Sequence, residues 1–307
     1  MQLEIKESKI EYQTPFELYS TLTRHGTIPA LLMESRTQNL AYGRYSIIAS
    51  NLALKVSGKN ENLRIDALTG QGIELLDEIS RKDFPYAESF TVNSFDVRKP
   101  GIESGKNRIE LTYERKHKPN LDEEQRVKDN VASKFLRTLL EKFKVESNGN
   151  NFAGLYGAFA YDFVRNFESI GNSHQNEHGE DFTLIMPSDF YVFDDIKQTA
   201  THYQIQTRSE PTSSILTRHP FLSNDTASRL ESMTEQEYMQ KAASIINDIK
   251  NGRFMQCVLS RSIDVPLIEH PLQSYARLRE INPSPYCFFF NFGNGEFLYG
   301  SSPEIHA

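Results

Sequence analysis

Three short segments carry residues whose type and order could do chemistry. In Gly252-Arg253-Phe254-Met255-Gln256-Cys257-Val258-Leu259-Ser260-Arg261 a neutral amide, Gln256, sits in an apolar run. Read as a strand over Phe254–Leu259, the run groups Phe254, Gln256, Val258 and Ser260 on one face and Met255, Cys257, Leu259 and Arg261 on the other. An amide in such a strand needs hydrogen-bond partners, which either a bound ligand or the fold itself can supply. In Asn282-Pro283-Ser284-Pro285-Tyr286-Cys287-Phe288 two prolines fix φ and remove backbone donors, so Tyr286 points in a definite direction. That suits a planar ligand, and it suits a stiff connection ending in a core tyrosine. In Leu31-Leu32-Met33-Glu34-Ser35 an apolar strand ends in a carboxylate and a hydroxyl, which together can hold an ammonium or form a polar strand end.

Other constellations carry less. His174 and His178 have a metal-like spacing, but Gly171-Asn172-Ser173 before them and Gly179 after them read as loop, so exposed histidines are expected and not a zinc pair. No Gly-Lys-Ser or Gly-Lys-Thr triplet, no Gly-x-Ser-x-Gly elbow and no convincing Cys–His arrangement occurs.

The elements that must position these segments are legible from periodicity. Leu3–Tyr12, Ile28–Met33, Tyr45–Val56 and Arg108–Tyr113 are rich in β-branched and aromatic residues and read as strands. Asn120 with Glu123 resembles a capping pair, and Val127, Val131, Phe135, Leu136, Leu139, Leu140 and Phe143 follow helical spacing, predicting an amphipathic helix with a packed apolar side. The glycine-punctuated stretch Phe152–Phe163 comes next, and Phe182–Met186, Phe190–Phe193 and Ala200–Thr207 read as antiparallel strands. From Arg208 to Met233 the composition turns polar, marking a connection. Thr234 with Glu237 then makes a capping box, Tyr238, Ala242, Ile245, Ile246 and Ile249 form one helix face, and Asn251-Gly252 supplies a left-handed cap. Leu272–Ile281 is a helix halted by Pro283, and Tyr286–Phe290 pairs with Glu296–Tyr299 across Gly293-Asn294-Gly295. No internal repeat or low-complexity tract is present.

Composition bounds the function. With 34 Lys and Arg against 41 Asp and Glu, a net charge of -7 and no basic stripe, nucleic acid is an unlikely partner. The charged start Met1–Lys9 and the lack of a long apolar run predict a cytoplasmic protein with no membrane span. Two cysteines, Cys257 and Cys287, are expected as buried thiols in a reducing compartment.

Taken in order, the segments resemble the large subunit of anthranilate synthase, component I, among the chorismate-utilising enzymes. Leu31–Ser35 is similar to that subunit's LLES motif, Gly154–Glu168 (GLYGAFAYDFVRNFE) to its glycine-rich Tyr-Asp segment, and Gly252–Arg261 to its G-x-[IF]-x-Q-x-V-x-SR strand. Asn282–Phe288 matches NPSPYxF, and Tyr299–Glu304 matches [FY]G-[AS]-SPE. Cys287 stands where methionine is common, and Ser262 where a second arginine is frequent.

The resemblance implies an α+β fold: two facing antiparallel β-sheets with helices packed outside, a four-layer α/β/β/α sandwich with its carboxy-terminal part incomplete. It implies an amino-terminal domain over 1–207 carrying the inhibitor-binding segment, a connection over 208–233 and the start of the chorismate-binding catalytic domain over 234–307. The implied activity is that of a lyase converting chorismate and ammonia to anthranilate and pyruvate in tryptophan biosynthesis. A glutamine amidotransferase subunit, component II, would supply the ammonia, and tryptophan would inhibit. Glu34, Ser35, Pro285, Tyr286 and Cys287 are the implied tryptophan contacts. Gln256 is the candidate catalytic residue, and because isochorismate and salicylate synthases carry lysine there to activate water, an amide favours ammonia as nucleophile. Magnesium is the implied cofactor, with its glutamate ligands, a catalytic histidine and a Gly-Thr clamp expected beyond Glu304, so the chain alone is expected to be inactive. Aminodeoxychorismate synthase component I and a non-catalytic tryptophan-binding module are the alternatives.

Overall fold

The β-branched run beginning at Tyr45 is long enough to serve several partners, and it becomes the spine of the sheet. The computed structural model describes residues 3–36, 43–95, 105–114, 124–125, 130–144, 152–168, 179–207 and 230–302. The first half contains β1 (Glu4–Ile10), α1 (Pro15–Leu22), β2 (Ala30–Glu34), β3 (Tyr45–Lys59), β4 (Asn62–Ala67), α2 (Gly70–Asp77), β5 (Ser89–Phe95), β6 (Gly105–Thr112) and α3 (Val131–Lys142). There follow β7 (Tyr156–Phe159), β8 (Phe182–Asp194), β9 (Thr199–Gln206), β10 (Leu230–Glu231), α4 (Glu235–Lys250), β11 (Ile263–Asp264), α5 (Pro271–Ile281), β12 (Tyr286–Gly293) and β13 (Glu296–Ser302).

Among the described residues eleven strands join in one sheet whose main path runs β1-β9-β8-β3-β2-β12-β13. The strands β4, β6 and β5 branch from the far half of β3, and β7 adds to β8. Every pairing is antiparallel, and with helices beside the sheet the expected α+β class holds.

Proline placement explains why two expected strands are one. Pro187 lacks the N–H a ladder needs, yet β8 runs through it. On one side β8 changes partner there, pairing β7 up to Ile185 and β9 from Asp189. On the other side the register with β3 shifts between Leu52 and Leu54, a bulge that absorbs the missing donor. The glycine at 157 meets a different demand: a Cβ there would lie 2.0 Å from the carbonyl oxygen of Thr183.

Local signals in the sequence reappear as caps and turns. Thr234 accepts from the Glu237 N–H while Glu237 accepts from that of Thr234, and Gly252 has φ +71. Asn294 and Gly295 both have positive φ and close the two-residue turn between β12 and β13. The helix α3 begins at Val131 with Asn130 as its cap and buries Ala132, Phe135 and Leu139. The expected capping pair at Asn120 and Glu123 lies outside the described residues, as do His174, His178, most of the polar connection and Glu304.

Two compact units emerge, Met1–Pro220 with Tyr275–Ala307, and Phe221–Ser274. The hairpin of β12 and β13 belongs to the first because β12 pairs with β2. In the second unit two expectations fail. No strand forms over Phe254–Leu259, where Met255 is 96% and Val258 84% exposed, and Cys257 is exposed instead of buried. A strand needs a neighbour for its N–H and C=O groups, and the one ladder in this unit among the described residues is the short β10–β11 pair. The apolar face of α4 likewise has no buried residue.

Candidate functional site

The site is built in the first unit where the end of β2 meets the start of β3 and the loop into β12. β2 lies between β3 and β12, with Cys287 opposite Glu34 and Met33 opposite both Phe288 and Ile47. Past the strand end, the Arg36 N–H donates to the Ser284 carbonyl at 3.0 Å and the Ser35 N–H to Ser46 Oγ at 3.4 Å. The segments that sequence reading singled out at opposite ends of the chain, Leu31–Ser35 and Asn282–Phe288, are therefore adjacent.

The pleat then divides the expected contact residues between two faces. Side chains alternate along a strand, and residues directly opposite share a face. Glu34 and Cys287 point toward α5, both buried, while Ser35 and Tyr286 belong to the face of Met33, Ile47 and Phe288. Pro285 is half-buried and Tyr286 is exposed. Cys287 donates weakly to the Ser284 carbonyl at 3.5 Å, and Ser301 donates to the Asn282 carbonyl, so the proline loop is tied down from behind.

Glu34 is engaged by the protein's own groups. Its Oε1 accepts from Tyr275 OH at 2.7 Å and from Arg279 Nε at 2.6 Å, and its Oε2 accepts from Arg279 Nη2 at 2.8 Å. Burial alone would lower the Arg279 pKa, but the hydrogen bonds and charge of Glu34 outweigh it and the pKa rises. Burial first, then the Glu34 charge, pushes the Tyr275 phenol well above its ordinary value. The guanidinium also lies 4.6 Å over the Phe16 ring. Tyr275 and Arg279 escaped sequence reading, although their i,i+4 spacing puts both on one side of α5.

A second carboxylate lies close by. Asp195 accepts from Ser46 Oγ and, at 3.2 Å, from Tyr12 OH. Burial raises its pKa above the usual carboxylate value; the hydrogen bonds from Ser46 and Tyr12 oppose the shift, and the charges of Glu34 and Asp194 add to it. The Tyr12 phenol is pushed up to about 12, by burial and then by Asp195.

Gln256 lies in the other unit with its side chain exposed, in the segment that forms no strand. Magnesium takes oxygen ligands, often one or two carboxylates completed by water and substrate. Among the described residues no three His, Cys, Asp or Glu side chains converge. No helix among the described residues is long and apolar enough to cross a membrane.

The profile of the chorismate binding enzyme family matches residues 100–306, more than half of the chain. The chain belongs to that family. Anthranilate synthase component 1 of Vibrio cholerae is 27% identical over 98% of this chain and 58% of its own length. The component 1 of Serratia marcescens is 27% identical over 91% of this chain and 54% of its own. Among solved structures, anthranilate synthase component I from Streptococcus pneumoniae superposes with a TM-score of 0.50 at 18% identity, over 87% of this chain and 52% of that one, a likeness of fold. The chain thus spans about half the length of the relatives it matches.

Proposed function

We propose that this chorismate-binding family member is the large subunit of an anthranilate synthase, a lyase of tryptophan biosynthesis. Chorismate and ammonia would give anthranilate, pyruvate and water, with the ammonia released from glutamine by a partner amidotransferase subunit. Supporting this reading are the relatives named anthranilate synthase component 1, which align with nearly the whole chain. The observation that carries it is the pairing of Met33 and Glu34 with Phe288 and Cys287, which brings the Leu31–Ser35 and Asn282–Phe288 motifs side by side.

There Ser35, Pro285 and Tyr286 are the proposed contacts for tryptophan as feedback inhibitor. Glu34 and Cys287, also expected as contacts, hold the same two segments from the opposite face. Gln256 is proposed to sit near the aminated carbon of chorismate, where an amide can donate and accept hydrogen bonds but cannot deprotonate water. Magnesium would neutralise the substrate carboxylate, its ligands coming from outside the described residues. A cytoplasmic setting fits these substrates.

The test is a steady-state assay of a version extended to the length of the relatives, supplied with chorismate, magnesium and ammonium. Fluorescent anthranilate is the expected product, and addition of tryptophan should suppress it. Isochorismate or salicylate as sole product rejects the assignment, and an aminated product that keeps the enolpyruvyl group points to aminodeoxychorismate synthase.

A further inference from the structure

The helix α3 and the sheet beneath it do not close completely on each other. Along β3, Leu54 and Val56 are two apart and share a face, and Met186 of β8 lies opposite Leu54. At the end of α3, Leu139, Leu140 and Phe143 are three and four apart, which turns them to one side. Together with Lys144 and the segment Ala153-Gly154-Leu155 they surround a cavity of about 160 Å³. It lies on the half of β3 that pairs with β4, past the bulge, whereas β2 pairs with the other half.

The lining has a dry floor and a wet rim. Leu54, Val56, Leu139, Phe143 and Met186 are buried, while Leu140 is 45% exposed and Lys144 is exposed. A second observation locates the open space: a Cβ built on Gly154 would meet no atom within 4 Å. Gly154 is not among the glycines with positive φ, so its backbone does not require a glycine, and the missing side chain leaves room. Atoms lining such a void forfeit contacts, and an apolar cavity of about 150 Å³ is known to stay dry and to accept benzene. The volume here fits one six-membered ring.

Two features give the guest its chemistry. Phe143 and Met186 offer a ring and a polarizable sulfur, both of which favour an aromatic guest. Lys142, near the same helix end, is held by Asp83 at 2.9 Å, but Lys144 has no carboxylate partner among the described residues. An ammonium at the rim of an apolar cavity complements an anionic group carried by the ring. We propose that this cavity binds a single-ring aromatic carboxylate, its ring against Phe143 and Met186 and its carboxylate at Lys144. The site is separate from the proposed tryptophan contacts and does not depend on them.

The test is isothermal calorimetry on the full chain with benzoate, its neutral isostere benzamide, the cation benzylamine and the longer-tailed octanoate. Benzoate should bind with a Kd of about 0.1–1 mM, at least about threefold more tightly than the other three. Lys144→Met keeps the apolar stem but not the charge, so it should weaken benzoate about three- to tenfold and remove its advantage over benzamide. Gly154→Leu should fill the cavity and abolish binding of both, whereas Tyr286→Ala should change neither. No binding of benzoate to wild type, unchanged affinity in Lys144→Met or in folded Gly154→Leu, or octanoate binding more tightly than benzoate would each overturn the proposal. Loss of binding in Tyr286→Ala would overturn it too, by placing benzoate at the other site. Should Gly154→Leu not fold, the exposed substitution Lys144→Met decides.

Discussion

Replacing Arg279 with methionine tests whether Glu34 is held as a buried ion pair. The Glu34 side chain is 2% exposed, and without the guanidinium its carboxylate keeps only the Tyr275 hydroxyl. Removing one partner of a buried pair leaves an uncompensated buried charge, which costs roughly 3–5 kcal/mol. The lost contact with Phe16 adds to that loss.

Urea unfolding followed by circular dichroism should show Arg279→Met less stable than wild type by about that amount. Adding Glu34→Gln removes the stranded charge, so the double variant should regain most of the loss. A loss below about 1 kcal/mol for the single variant, or a double variant no more stable than the single one, would refute the reasoning.

Two further outcomes are expected. Gly157→Ala should lower unfolding stability by about 1–3 kcal/mol or more, because its Cβ would sit 2.0 Å from the backbone oxygen of Thr183 and the β7–β8 ladder must part; a neutral effect in urea would contradict the close approach. Asp195→Asn removes a carboxyl whose folded pKa is raised. Wild type should lose stability relative to that variant as pH climbs from the ordinary value of 3.8 through the raised one, and a gap that grows in favour of wild type over that window would contradict the burial of Asp195.

Much of the fold was legible residue by residue. The Thr234–Glu237 box, the turn at Asn294-Gly295 and the helix before Pro283 are local devices, each set by hydrogen bonds or φ values a few residues apart. The opposite faces of Glu34 and Ser35, and of Tyr286 and Cys287, were also implicit, because adjacent residues in a strand cannot share a face.

What the sequence by itself determined was therefore element type, caps, turns and the family motifs, all written in short-range periodicity and order. Only the tertiary structure decided which strand lies beside which. It put Cys287 opposite Glu34, gave Glu34 a cation from a helix 245 residues away, and left Phe254–Leu259 without a ladder. Alternation fixes a side chain's face but not its neighbour. The neighbour is chosen by pairing across the whole sheet, where hydrogen bonds and burial between distant segments are settled together.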